Sequence, residues 1–131
     1  MKYLLILLIS FAAAAGQAKE SILISLANQQ LYLYQGNKIV FSTPISSGRK
    51  SIPTPPGRYV IDMKKLVVPD PKYHMTLPYF MRLSVNPAIG IHYAHDPGYP
   101  VSHGCVRIGS MKSAMALYNL TPTGTAVTIL D

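Results

Sequence analysis

Cys105 is the only cysteine in the chain. It stands in Ser102-His103-Gly104-Cys105-Val106-Arg107-Ile108, with a histidine two residues before it and an arginine two residues after. In extended backbone alternate side chains share a face, so His103, Cys105 and Arg107 are placed on one side. Gly104 lacks a Cβ and lets a substrate carbonyl come close to the backbone beside the sulfur. A short way upstream, Gly90-Ile91-His92 supplies a second imidazole. These residue types together can do nucleophilic chemistry. A free cysteine is only roughly a few per cent thiolate at neutral pH, and a neighbouring imidazole removes that handicap by taking the proton. The N–H groups of Gly104 and Cys105 are the expected donors to a tetrahedral oxyanion, and Arg107 suits a substrate carboxylate held by two parallel hydrogen bonds. A lone cysteine in other settings is a small buried hydrophobe; the polar company of Cys105 points to a reactive thiol instead.

Ser-His-Gly-Cys-Val-Arg preceded by Ile-Gly-Ile-His resembles the active-site signature of the L,D-transpeptidase catalytic domain, the YkuD-like family. The resemblance extends upstream to Gln30-Leu31-Tyr32-Leu33-Tyr34 and to Pro53-Thr54-Pro55-Pro56-Gly57-Arg58-Tyr59. It implies a cysteine-dependent acyl transfer on peptidoglycan stem peptides. Cys105 would attack the bond after the third residue of a tetrapeptide stem, release the terminal D-alanine, and pass the acyl group to an amine. The resemblance gives the base role to His92, with its second ring nitrogen on a backbone carbonyl. His103 is then a structural or substrate-positioning residue, and carbapenems are expected to acylate the cysteine more readily than penicillins. His95, three residues beyond His92, is the competing imidazole. Ser102, Tyr93 and Arg107 are assigned to the substrate side of the site. Two rival functions stay open: hydrolysis of the same acyl-enzyme, as an L,D-carboxypeptidase or endopeptidase aimed at a cell wall, and a non-catalytic wall-binding module.

The elements that must position these residues are short. Ser21–Leu26 alternates with Ile22, Ile24 and Leu26 on one face; turns at 27–30 and 35–38 separate it from Leu31–Tyr34 and Ile39–Thr43. This predicts an antiparallel meander. Pro44 cannot donate to a ladder and places the third strand at an edge or a bulge. Tyr32 and Tyr34 are read as ordinary residues of an outer sheet face. Residues 46–57, with three prolines, form an extended loop that the resemblance places beside the catalytic face. Arg58–Met63 resumes the strand pattern. Lys64–Tyr79, with Pro69, Pro71 and Pro78, is expected to be an irregular flap over the site, with His74 on its surface. Phe80–Val85 and Ala88–His92 are further strands. Ser110 caps a helix in which Met111, Ala114, Met115 and Tyr118 form the apolar stripe, ending near Asn119. Thr125–Leu130 is the last strand. The fold expected is mainly β, a small β-sandwich or half-barrel of the L,D-transpeptidase type with one short α-helix packed on it.

Residues 1–18 read as a secretory signal peptide: Lys2, an apolar run from Leu4 to Ala15, and the small-residue step Gly16-Gln17-Ala18. The run is shorter than the roughly 20 apolar residues of a membrane span. Cleavage would leave residues 19–131 as one catalytic domain in the periplasm or cell wall, with no stable membrane insertion. A single unpaired cysteine in such an oxidising compartment fits a used thiol. The formal net charge of +7 suits anionic envelope polymers. The basic residues form no stripe and no aromatic-basic motif, so nucleic acid is not an expected partner. The histidines lack the co-ligands and spacing of a zinc site, and no metal or other cofactor is expected.

Overall fold

The computed structural model describes residues 18–131; the signal-peptide expectation for residues 1–18 lies outside that range but for its last residue. Alternating apolar residues build two sheets. The first contains β1 (Glu20–Ser25), β2 (Gln30–Gln35), β3 (Lys38–Pro44), β4 (Gly57–Val60) and β9 (Ala126–Leu130), in the order β3-β2-β1-β9-β4. The expected meander is there: β1 pairs antiparallel with β2, and β2 with β3. The edge position of β3 accommodates Pro44. The final strand closes this sheet by running parallel to β1, Ile22 opposite Val127 and Ile24 opposite Ile129.

The second sheet holds β5 (Met63–Asp70), β6 (Met75–Ser84), β7 (Ile89–Tyr93) and β8 (Val106–Ile108), in that order. Here the sequence reading is corrected. Residues 64–79 are not irregular. They form a long antiparallel hairpin, with Val68 opposite Leu77 and Asp70 opposite Met75, turning at 71–74 where His74 is exposed. Three prolines disguise it. Pro69 and Pro71 lie on the edge strand or in the turn, and Pro78 faces Val67 within the ladder.

Ile24, Leu31, Leu33, Ile61, Ile91, Val106, Leu117 and Ile129 are essentially inaccessible and join the two sheets and the helix in one core. Each contributes about 2 kcal/mol by leaving water.

The helix α1 (Met111–Leu120) starts as expected, with Ser110 Oγ accepting the Ser113 N–H at 3.2 Å. Its buried face is Ala114 and Leu117. Met111 and Met115, expected in the core, are 45% and 42% exposed. The helix packs against β6, β7 and β8 with Ala114 and Leu117, rather than the methionines, as its buried side. Its last turn carries no basic residue, but Lys64 at the base of the hairpin donates to Tyr118 O at 2.6 Å and lies over the Tyr118 ring. A cation thus meets the helix C-terminus from another element. Among the described residues, no helix is long and apolar enough to cross a membrane.

Candidate active site

β7 and β8 run parallel, with Ile91 opposite Val106 and His92 opposite Arg107. That register lays Gly90 beside Cys105. The Gly90 backbone works to lower the Cys105 pKa, against the effect of burial. Glycine is required here for space: a Cβ on residue 90 would lie 2.4 Å from the Phe80 ring. Cys105 itself precedes the strand. It follows Gly104, whose φ of +119° is a left-handed value that side-chain-bearing residues avoid, although the space around a Cβ there is open. The segment is therefore a bent loop entering β8 rather than one continuous strand. His103, Cys105 and Arg107 nevertheless line the same cavity, as alternation had placed them.

The loop is held from behind. Ser102, 2% exposed, donates its hydroxyl to Cys105 O and accepts the Gly104 N–H at 3.1 Å. Thr54, from the proline-rich loop, donates to Gly104 O at 2.7 Å and accepts the Gly48 N–H at 2.8 Å. Backbone bonds from Arg49 N to Ser102 O and from Ser102 N to Ser47 O, both near 3 Å, continue the clamp. Residues 46–57 thus lie where the resemblance put them. Two of the assigned residues already have hydrogen-bond partners. Ser102 lines the cavity, but its hydroxyl is engaged within its own loop, with Cys105 O and the Gly104 N–H. The Gly104 N–H is occupied by that hydroxyl, whereas the loop bonds leave the Cys105 N–H unengaged.

His92 is 3% exposed, and its Nδ1 lies 2.9 Å from Tyr93 O. A carbonyl can only accept, so Nδ1 carries the hydrogen and Nε2 is left with a lone pair. The expected carbonyl contact is met by the next residue in the chain. The Tyr93 side chain alternates away from the cavity and packs on the core, so it does not line the substrate groove. His95 is exposed and outside the cavity; its carbonyl accepts from Arg107 Nη1 at 3.3 Å.

The electrostatics favour neutral partners at rest. Burial pushes the Cys105 thiol up; the Gly90 backbone and Arg107 oppose this, and Asp70 adds to it. Burial pushes His92 below its usual 6.5, and the neighbouring Arg107 adds to that, while the Tyr93 carbonyl and Asp70 work the other way. Both shifts disfavour the charged forms, thiolate and imidazolium.

The hairpin forms the opposite wall. The cavity, of about 540 Å³, runs from Cys105 and His92 beneath Val68, Asp70 and Leu77 to Arg82 and Val85, a size suited to a peptide segment. Its mouth is narrowed where Tyr73, at the hairpin tip, stacks on His103, the ring centroids 3.8 Å apart and the planes within 3°. Sequence reading foresaw a flap but not this contact, nor Thr54 and Gly90 in their roles, because each depends on pairing between distant segments. Among the described residues, no three metal-ligating side chains converge.

The L,D-transpeptidase catalytic domain (YkuD) model matches residues 19–129. A Bacillus licheniformis relative named for L,D-transpeptidase activity, YkuD, is 32% identical over 111 residues, covering 82% of this chain and 64% of its own length. The structure of an L,D-transpeptidase from Stackebrandtia nassauensis superposes with a TM-score of 0.77 at 26% identity, over 86% of this chain and 56% of that one. The Mycobacterium smegmatis L,D-transpeptidase gives 0.79 at 21% identity, over 87% and 59%. The chain therefore spans less than two thirds of the relatives it matches.

Proposed function

This chain belongs to the L,D-transpeptidase catalytic-domain family, and from that premise we propose that it transfers acyl groups between peptidoglycan stem peptides through a thioester on Cys105. The observation that carries the reading is the shared cavity of Cys105 and a buried His92 whose Nδ1 is tied to a carbonyl. His92 Nε2 takes the thiol proton as the sulfur attacks the carbonyl of the third stem residue. Attack and proton transfer occur together, since neither ion is favoured beforehand. The Cys105 N–H stabilises the oxyanion, and the imidazolium returns its proton to the departing D-alanine amine. Arg107 lines the groove, and the one ion pair among the described residues is Arg82–Asp62; its guanidinium is placed to bind a substrate carboxylate. The thioester keeps the energy of the cleaved bond, so a crosslink forms outside the cytoplasm without ATP. Export to the periplasm or cell wall, after removal of residues 1–18, fits this substrate.

The test is mass spectrometry of products from a purified tetrapeptide with an amine acceptor. Loss of D-alanine with formation of the amide, absent from Cys105→Ser, is expected. Products of water attack alone would make the protein an L,D-carboxypeptidase. A carbapenem should add its intact mass to Cys105. A folded protein that resists the carbapenem yet reacts with a simple thiol reagent would instead be a wall-binding module.

A further inference from the structure

The groove is electropositive. Lys72, Arg82 and Arg107 line it, and the one acidic side chain among its lining residues is Asp70. Asp70 ends β5 on the hairpin wall, opposite Met75. The cations nearby are engaged elsewhere. Arg82 is paired with Asp62 at 2.8 Å, Arg107 donates to His95 O, and Lys72 lies toward the Tyr73 ring, 5.3 Å from its centroid. Among the described residues the Asp70 carboxylate makes no ion pair and no hydrogen bond. It lines the same cavity as Cys105, His92 and His103, and its charge works to raise the pKa of each.

A carboxylate in that groove opposes the charge that develops on the sulfur, while it favours the proton on His92. The opposition disappears once the sulfur is acylated, because a thioester carries no charge. What remains is an anion in the groove that holds the thioester at the moment the second substrate arrives. That substrate is an amine, an ammonium ion at neutral pH, entering a groove whose other charges repel it.

We propose that Asp70 is the acceptor-binding residue, its carboxylate receiving the ammonium group of the amine substrate and setting transfer against hydrolysis. This rests on the acyl-transfer reading of Cys105. The ammonium, held by Asp70, gives one proton to His92 Nε2. The nitrogen lone pair forms the C–N bond to the thioester carbon, the C–S bond breaks with its electron pair on Cys105, and the second nitrogen proton leaves to solvent. An amide, a thiolate and an imidazolium result.

The experiment measures the ratio of transfer to hydrolysis products from one tetrapeptide donor, so that changes in acylation cancel. Two acceptors are compared at neutral pH: Nα-acetyl-lysine amide, which carries an ammonium, and hydroxylamine, which is uncharged. In Asp70→Asn the ratio for the lysine acceptor should fall about tenfold, the effect of losing one partly solvated charge contact. The hydroxylamine ratio should not follow, and Asp70→Glu should stay near the wild type. In the wild-type protein, raising the salt concentration should lower only the lysine ratio, a measurement that needs no variant to fold. Equal changes for both acceptors, or no change in either, overturn the assignment to Asp70 while leaving the thioester intact. A wild-type protein that releases no D-alanine overturns the acyl-transfer reading and this inference with it.

Discussion

His92 Nδ1 lies 2.9 Å from the carbonyl oxygen of Tyr93, and that contact decides which ring nitrogen can act as a base. The hydrogen sits on Nδ1, so Nε2 keeps a free lone pair on a ring that lines the cavity. A histidine that chooses its tautomer through the adjacent peptide group needs no acidic partner, and its protonation is governed by burial.

The pH dependence follows with a definite sign. Burial lowers the His92 pKa below 6.5, so the base form is present at and above that value. Carbapenem acylation should be flat through neutrality and fall only on an acidic limb lying below 6.5. The same shift makes the stability supplied by neutral His92 fully present above 6.5 and lost as pH falls through the folded-state value. His92→Ala should lower acylation by about a hundredfold or more, the scale of general-base catalysis, and His95→Ala should change it little. Stopped acylation reactions read by intact-protein mass across a pH series check all three.

Removing the clamp behind the nucleophile should slow the chemistry without touching any catalytic group. Thr54→Ala leaves Gly104 O and the Gly48 N–H without their buried partner, a loss of about 1–3 kcal/mol. Thr54→Ser keeps the hydroxyl and should recover most of it. Chemical denaturation and the acylation rate, measured on both variants, should move together; a stability loss with an unchanged rate would show that Thr54 does not position Cys105.

Gly90→Ala should be more damaging than its size suggests. The added methyl would lie 2.4 Å from the Phe80 ring, and that ring packs 6.4 Å from His92, centroid to centroid. Overpacking of this kind costs about 1–3 kcal/mol, and the shift reaches both His92 and the Gly90 backbone that works to lower the Cys105 pKa. Thermal melting together with thiol alkylation rates at Cys105 would register both effects.

The Tyr73–His103 stack ties the hairpin tip to the catalytic loop. Tyr73→Ala should increase hydrogen exchange at residues 71–74 and raise the KM for a tetrapeptide donor, and Tyr73→Phe should do neither. Exposed aromatic contacts of this type are worth about 1 kcal/mol, so a several-fold change in KM is the expected scale.

What the sequence settled by itself is what short-range chemistry encodes. The alternation at Ile22, Ile24, Leu31 and Leu33 announced two core strands, Ser110 announced the helix start, and the polar neighbours of Cys105 marked the segment that lines the cavity. Each signal is carried by residues within one or two turns of backbone. The stripe through Met111 and Met115 misled because periodicity shows that a helix has an apolar side, but the packing partners choose which part of it is covered. The prolines of residues 64–79 misled because Pro69 is harmless on an edge strand, Pro71 falls in the turn, and Pro78 sits on β6 outside the stretch paired with β7, all properties of the whole sheet. The site itself was decided by tertiary structure. Parallel pairing set Gly90 against Cys105 and His92 against Arg107, the proline-rich loop fastened Gly104 from behind, and the hairpin brought Asp70 and Tyr73 over the groove. Those contacts join segments far apart in the chain, whose register is fixed only when the two sheets bury their apolar faces together, and no local pattern of residues records that choice.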